Sequence, residues 1–317
     1  MLIAANRSSP SVETVSTPEL HKLLDREPIE PVKQPTGLSA SKVALGKALF
    51  NDCRLSDDNT VSCASCHNLV EGGSDHRKVS TGVHGRKTKY NSLTVINAVL
   101  NSKLTWQGKT GSIYEQTEQL VANPSTLGSS WPTLEAKLSA DKAMQAQFMD
   151  VYHSNVSRTN IIDAIVEYEK SLCAENSRFD LYLKGNTKSI TQEELEGYKL
   201  FKAYGCASCH QGMNVGGNMF IKFGIFGDYF KPEIPANCGR FELTKKEEDR
   251  FVFRVPSLRN VELTAPYFHD GSVQDLEEAV SIMATYQLGR ELPAGDRQKI
   301  VSFLKTLTAL PEPAHEK

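Results

Sequence analysis

The pentapeptide Cys-Ala-Ser-Cys-His occurs twice in this chain, from Cys63 to His67 and from Cys206 to His210. The repeat extends backward. LGKALF (Leu45 to Phe50) precedes the first copy and EGYKLF (Glu196 to Phe201) precedes the second, each closing a stretch with helical apolar spacing. Thirteen positions separate Phe50 from Cys63 and five separate Phe201 from Cys206, so the first copy carries eight additional residues. Two related units, one with an inserted loop, are the simplest reading.

C-x-x-C-H is the attachment signature of c-type haem. Two thiols one helical turn apart each form a thioether with a haem vinyl group, and the histidine that follows reaches the iron as proximal ligand. The competing chemistries fit less well. A four-cysteine zinc site brings its pairs within roughly 15–20 residues, whereas these pairs begin 143 positions apart. A dithiol redox site needs one pair near a βαβ pattern, and that pattern is absent. The expected cofactors are therefore two covalently bound c-type haems, held by Cys63, Cys66, Cys206 and Cys209, with His67 and His210 on the irons.

A length of 317 residues suits two domains of roughly 150 each. The segment NIIDAIVEYEKSLC (Asn160 to Cys173) places Ile161, Ile162, Ile165, Val166, Tyr168 and Leu172 on one helical stripe behind the candidate caps Ser157 and Thr159. The polar stretch after it marks a boundary before Thr191, the expected cap of the next helix. This predicts a first domain over 1–180, whose first ~30 residues are free to pack on the other domain, and a second over 181–317. Asp275 to Tyr286 and Asp296 to Leu307 also read as amphipathic helices. Few segments alternate with the period of strands, so the expected fold is mainly α: two c-type cytochrome domains, each built around one haem, with long Gly-rich loops that carry function or wrap a ligand.

With 36 basic and 38 acidic residues there is no basic field to hold nucleic acid. No stretch approaches the roughly 18 apolar residues of a membrane span. The opening MLIAANRSSPSVETVSTPEL lacks the apolar core of a secretory signal. Haem attachment by this motif takes place outside the bacterial cytoplasm, so the expected compartment is the periplasm, with any export signal already removed. Cys53, Cys173 and Cys238 stand outside the motifs, and one disulfide plus a free thiol is open to them there.

The sixth iron ligand decides what a haem does. A His/Met pair gives a higher potential than two histidines, because the thioether is the weaker donor. The second unit offers Met213, Met219 and Met283. Met213 is too close to His210 to cross to the opposite face, and Met283 lies in a helix beyond a loop, as such a ligand must. The first unit offers only Met144 and Met149, in a polar helical stretch, but also His76 and His84. Gly82-Val83-His84-Gly85 is a flexible segment able to place an imidazole on iron and to remove it, which a peroxide-activating haem would need.

The chain closely resembles the bacterial dihaem cytochrome c peroxidases, a family that includes the dihaem enzyme maturing a tryptophan-derived quinone. The likeness runs from about Leu38 to Leu310 and is carried by LF-x(12)-CASCHN, GGSD, TGVHG, NSLTVINAV, the Trp106 region and RFVFRVPSLRNVELTAPYFHDGSVQDLEEAVSIMATYQLG. The resemblance implies that His67 and the displaceable His84 ligate a low-potential peroxidatic haem, and that His210 and Met283 ligate a high-potential electron-accepting one. It implies Trp106 between the haems and a calcium ion on oxygens of Asn91, Thr264 and Pro266, a reasonable set for a hard cation. Met283 marks the peroxidase branch, since the quinone-maturing enzyme has tyrosine there. One departure matters. The family's distal site contains a glutamine, matched by Gln116, and a Pro-x-Glu-x-Gly whose Glu is the acid/base. Here that segment is Pro124-Ser125-Thr126-Leu127-Gly128. Threonine does not titrate near neutral pH, and general acid/base help is worth roughly 10²–10⁴ in rate. Glu115 or Glu118 are the nearest substitutes, though an exposed helix face is the plainer reading of both.

Two functions are therefore expected to compete. One is a peroxidase reducing hydrogen peroxide to water with electrons from a small cytochrome c or copper protein. The other is a dihaem electron-transfer or redox-sensing protein whose weak peroxide turnover follows from Thr126. A homodimer is among the assemblies the sequence admits.

Overall fold

The computed structural model describes residues 27–229 and 237–311. Ten α-helices and one two-stranded ribbon are formed by these residues, joined by long segments with short 3-10 turns. The first helix, α1 (Ala40–Phe50), is capped by Ser39, whose hydroxyl accepts from Lys42 N, and ends with LGKALF. After the first Cys-Ala-Ser turn come α2 (Ile113–Ala122), α3 (Trp131–Ser139), α4 (Lys142–Tyr152) and α5 (Arg158–Ser171). Ser157, not Thr159, caps α5, and the predicted stripe Ile161, Ile162, Ile165, Val166 and Tyr168 is buried along it. Such a cap is worth about 1 kcal/mol.

The helix α6 (Arg178–Leu183) leads to α7 (Gln192–Ala203), capped by Thr191 as expected from the sequence, and Thr191 exchanges bonds with Glu194. The strand β1 (Phe220–Lys222) pairs antiparallel with β2 (Val252–Arg254), and the short helix α8 (Phe241–Thr244) lies between them in the chain. The helix α9 (Leu276–Ile282) is capped by Asp275 and widens into a π turn over Met283–Gln287. The last, α10 (Ala294–Lys305), begins two residues before the predicted Asp296.

The buried apolar side chains gather in two main groups. Leu45, Leu49, Leu134, Leu138, Phe148 and Ile161 lie in one, and Phe179, Tyr198, Phe201, Ile300, Phe303 and Leu304 in the other. Ile29 belongs to the second group and bridges to Gly212. Of the N-terminal stretch expected to be free to reach across the molecule, residues 1–26 lie outside the described part. Trp106, Phe223 and Phe253 form a smaller cluster between chain halves, with Met283 and Tyr286 packed on it.

The two units share a helix contact as well as a motif. In each, the helix carrying Leu-Phe lies along a later helix: α1 against α5, and α7 against α10. The corresponding glycines make both contacts. A Cβ on Gly46 would stand 1.9 Å from Ala164 O, and one on Gly197 would stand 1.8 Å from Lys299 O. These glycines have ordinary helical backbone, so the demand is for space. Helix propensity alone favours alanine over glycine by up to about 1 kcal/mol. Overpacking costs typically 1–3 kcal/mol, so Gly197→Ala is expected to lower the denaturant midpoint; a raised midpoint would show the contact is loose.

Candidate functional site

Both CASCH segments fold alike. Cys63–Ser65 and Cys206–Ser208 form 3-10 turns. His67 N donates to Cys63 O and His210 N to Cys206 O, each at 3.0 Å. The two turns therefore share one backbone pattern around their cysteines and histidine. Burial pushes the Cys63 thiol up to about 12 and Cys206 up to about 11, and raises Cys66 and Cys209 as well. Protonated thiols in apolar walls are poor nucleophiles. Among the described residues no three His, Cys, Asp or Glu side chains converge to hold a metal ion.

Burial also lowers the pKa of both histidines, His210 to about 4, so the rings are neutral. His67 Nδ1 lies 3.1 Å from Gly73 O, which fixes the proton on Nδ1 and leaves the Nε2 lone pair for a metal. The His210 ring is buried as well, with the backbone of Val215 and Pro256 beside it. In the second unit the surroundings form a largely apolar cavity lined by Cys206, Cys209, His210, Met283, Phe201, Leu276, Val280 and Leu304. Two thiols, a neutral imidazole and a thioether round one apolar cavity fit a c-type haem with His and Met ligands. Met283 stands where α9 opens into its π turn. Met213 and Met219 contribute no lining to this cavity.

The far wall of the cavity comes from the first half of the chain. Trp106, 8% exposed, donates its indole N–H to Asn91 O at 2.9 Å. Asn91 N donates to His269 O at 2.9 Å, and Asn91 Nδ2 to Arg77 O at 2.9 Å. Asn91, Thr264 and Pro266 line the same cavity as Trp106. The residues expected to hold calcium therefore line one large cavity, beside a cis Ala265–Pro266 bond.

In the first unit Cys63 packs against both neighbouring apolar clusters. The Met residues are not arranged to serve it: Met144 is buried in the helical core and Met149 is 49% exposed. His76 Nε2 meets Glu71 O at 2.8 Å. His84 is exposed, with a left-handed backbone at φ 55°. Its N–H donates to Asp58 Oδ2 at 2.9 Å, and its ring lies 3.3 Å from Asp57 Oδ2 and 3.5 Å from Asp58 Oδ2. Bonds from Thr60 and from the His84 backbone hold the Asp58 carboxyl down to about 2. Both aspartates belong to the twelve residues between Phe50 and Cys63, the longer of the two linkers.

The loop carrying His84 docks on the segment containing Thr126. Val83 N donates to Thr126 O at 3.0 Å, and a Cβ on Gly82 would meet Ser125 O at 2.3 Å. The Thr126 hydroxyl donates to Leu120 O at 2.8 Å, so it closes the end of α2. Gln116 Oε1 accepts from Thr110 at 2.8 Å. Glu115 caps Gly111 N at 2.7 Å and accepts from Gln119, while Glu118 pairs with Arg158. Both glutamates are thus engaged along an accessible face of α2.

Several residues here gave no signal in the sequence. His269 is buried between Phe253, 4.2 Å away between ring centroids, and Trp106 at 6.2 Å, and burial lowers its pKa to about 4. Glu169, on α5 beside Cys63, is pushed up to about 8 by burial. Cys53 and Cys173 are free thiols, and Cys238 Sγ lies 3.5 Å from Arg250 Nη1.

Residues 40–188 match the family model described as di-haem cytochrome c peroxidase. The chain is 44% identical over 289 residues to the cytochrome c peroxidase Ccp of Escherichia coli, covering 90% of this chain and 62% of that protein. It is 42% identical over 283 residues to the cytochrome c551 peroxidase of Nitrosomonas europaea, covering 89% of this chain and 84% of the relative. Among solved structures, a MauG-like protein associated with microbial copper homeostasis superposes with a TM-score of 0.77 at 29% identity, covering 90% of this chain and 94% of the other.

If both turns carry thioether-linked haem, a denaturing mass spectrum of the exported chain is expected to show two macrocycles. Replacing Cys206 and Cys209 by Ala should leave one. A bare polypeptide mass for the parent chain would end the haem reading.

Proposed function

Because the chain belongs to the di-haem cytochrome c peroxidase family, we propose that it reduces hydrogen peroxide to water with electrons from a small periplasmic cytochrome c or copper protein. The observation that carries this is the unlike provision for the two irons: a thioether, Met283, on the cavity of His210, and for His67 an imidazole, His84, held at the surface. The bound haems supply the one-electron redox chemistry and the cleavage of the O–O bond. The polypeptide binds, orients and excludes.

Gly73 O orients His67 through Nδ1 and sets its tautomer. His84 is the removable ligand. Asp57 and Asp58 hold it at the surface by one backbone bond and two ring contacts. Trp106, fixed by its bond to Asn91, stands between the halves as the route for electrons. Asn91, Thr264 and Pro266 are the calcium donors, and their place on a single cavity supports that assignment. We assign the peroxidatic unit to 1–180 and the electron-accepting unit to 181–317. No described helix is long and apolar enough to cross a membrane, and periplasmic residence is part of the proposal.

A second reading is favoured by one observation. The Thr126 hydroxyl is bonded to Leu120 O, and Glu115 and Glu118 are engaged elsewhere, so neither glutamate is free to move a proton between peroxide oxygens. On this reading the protein is a dihaem electron carrier or sensor with slow peroxide turnover.

Steady-state peroxide consumption with reduced cytochrome c separates the two. A slow enzyme accelerated by Thr126→Glu, by roughly 10²-fold or more, would show that the lost acid limits the rate; a fast enzyme indifferent to that change would retire the second reading. For His84, His84→Gly is expected to leave the first haem five-coordinate and high-spin even when fully oxidised. Asp58→Ala, which frees the loop, should move the oxidised spectrum toward six-coordinate low-spin. Identical EPR spectra for both variants and the parent would remove His84 from the role.

A further inference from the structure

Two buried arginines five residues apart are neutralised in different ways. Arg259 is paired in bidentate fashion with Asp180, at 3.1 Å from Nη1 and 2.9 Å from Nη2. Arg254 is 3% exposed and has no such partner among the described residues. Its Nε donates to Thr105 O at 3.1 Å and its Nη1 to Asn101 Oδ1 at 2.9 Å. Both acceptors are neutral, and burial is what moves its pKa, pulling it down to about 10.

A guanidinium surrounded only by neutral dipoles carries an uncompensated desolvation cost, and buried charges are ordinarily paired. The planar fork has five N–H donors and matches a carboxylate; the two bonds just described use two of them. Arg254 also lines the cavity of His210 and Met283, next to Trp106, and its own N–H donates to Trp106 O at 2.8 Å. We propose that Arg254 is the counter-charge for a propionate of the haem in this cavity. The assignment rests on the haem reading above. Propionates are the ionised groups of a haem, and a carboxylate facing Arg254 would complete the pairing that the polypeptide leaves open. One side chain would then tie the cofactor edge to the Thr105–Trp106 segment. Arg254 is a positioning residue in this account. Its positive charge favours the reduced haem over the oxidised one, which raises the potential of the electron-accepting centre.

The test is a redox titration of purified holoprotein, following the Met-ligated haem optically, with the haem count taken by denaturing mass spectrometry. Arg254→Gln is expected to retain both haems and to lower that potential by roughly a tenfold change in the one-electron equilibrium, about 59 mV. Arg254→Lys keeps the charge and should recover most of the difference. An unchanged potential in Arg254→Gln with both haems bound would overturn the proposal. So would equal shifts in the two variants, which would make the guanidinium a strut for Thr105 and Asn101 alone. If Arg254→Gln yields no holoprotein, Arg254→Lys decides: a potential near that of the parent supports the pairing, and a tenfold fall overturns it. A parent chain without haem would instead count against the haem reading itself.

Discussion

Everything in this molecule is arranged around two imidazoles kept neutral by burial, each beside two thiols kept protonated by the same apolar walls. Burying these groups with so few partners is unfavourable unless something else fills the space they face. The helices pack to the limit of backbone contact at Gly46 and Gly197, so the walls are rigid enough to define that space. The seam follows from it, because the second cavity is closed by Asn91, Trp106 and Arg254 from strands and loops that cross between the halves.

Much of this was legible in the sequence because it is local. The two CASCH turns fold with one backbone pattern, and the paired LF helices precede them as the repeat implies. Ser157 and Thr191 cap the helices they were expected to cap, since a hydroxyl three residues before a free N–H needs no tertiary help. Met283 and the candidate calcium donors share one cavity. What stayed hidden depends on the far side of the fold. Thr159 lies inside a helix rather than capping it. His269, Arg254 and Glu169 look like ordinary polar residues in a line of letters, and only packing reveals that water has been taken from them. The partners of His84 were equally unreadable, because Asp57 and Asp58 stand 27 and 26 positions away.

The Thr126 segment and the His84 loop are one structural unit, not two. Val83 hangs from Thr126 O, and Gly82 is pressed so closely on Ser125 that no side chain fits there. A change in the 124–128 turn is therefore transmitted directly to the loop. The Thr126 segment and the placement of the histidine are thereby coupled.

The additional residues ahead of Cys63 give this architecture its asymmetry. A duplicated module begins with interchangeable halves, and nothing in a shared pentapeptide tells them apart. The longer linker carries two carboxylates within reach of a distant loop, while the other copy, with four residues between Phe201 and Cys206, has no room for an equivalent. The two copies thus keep like helix pairs and differ at the surface, where the longer linker of one holds the loop of His84.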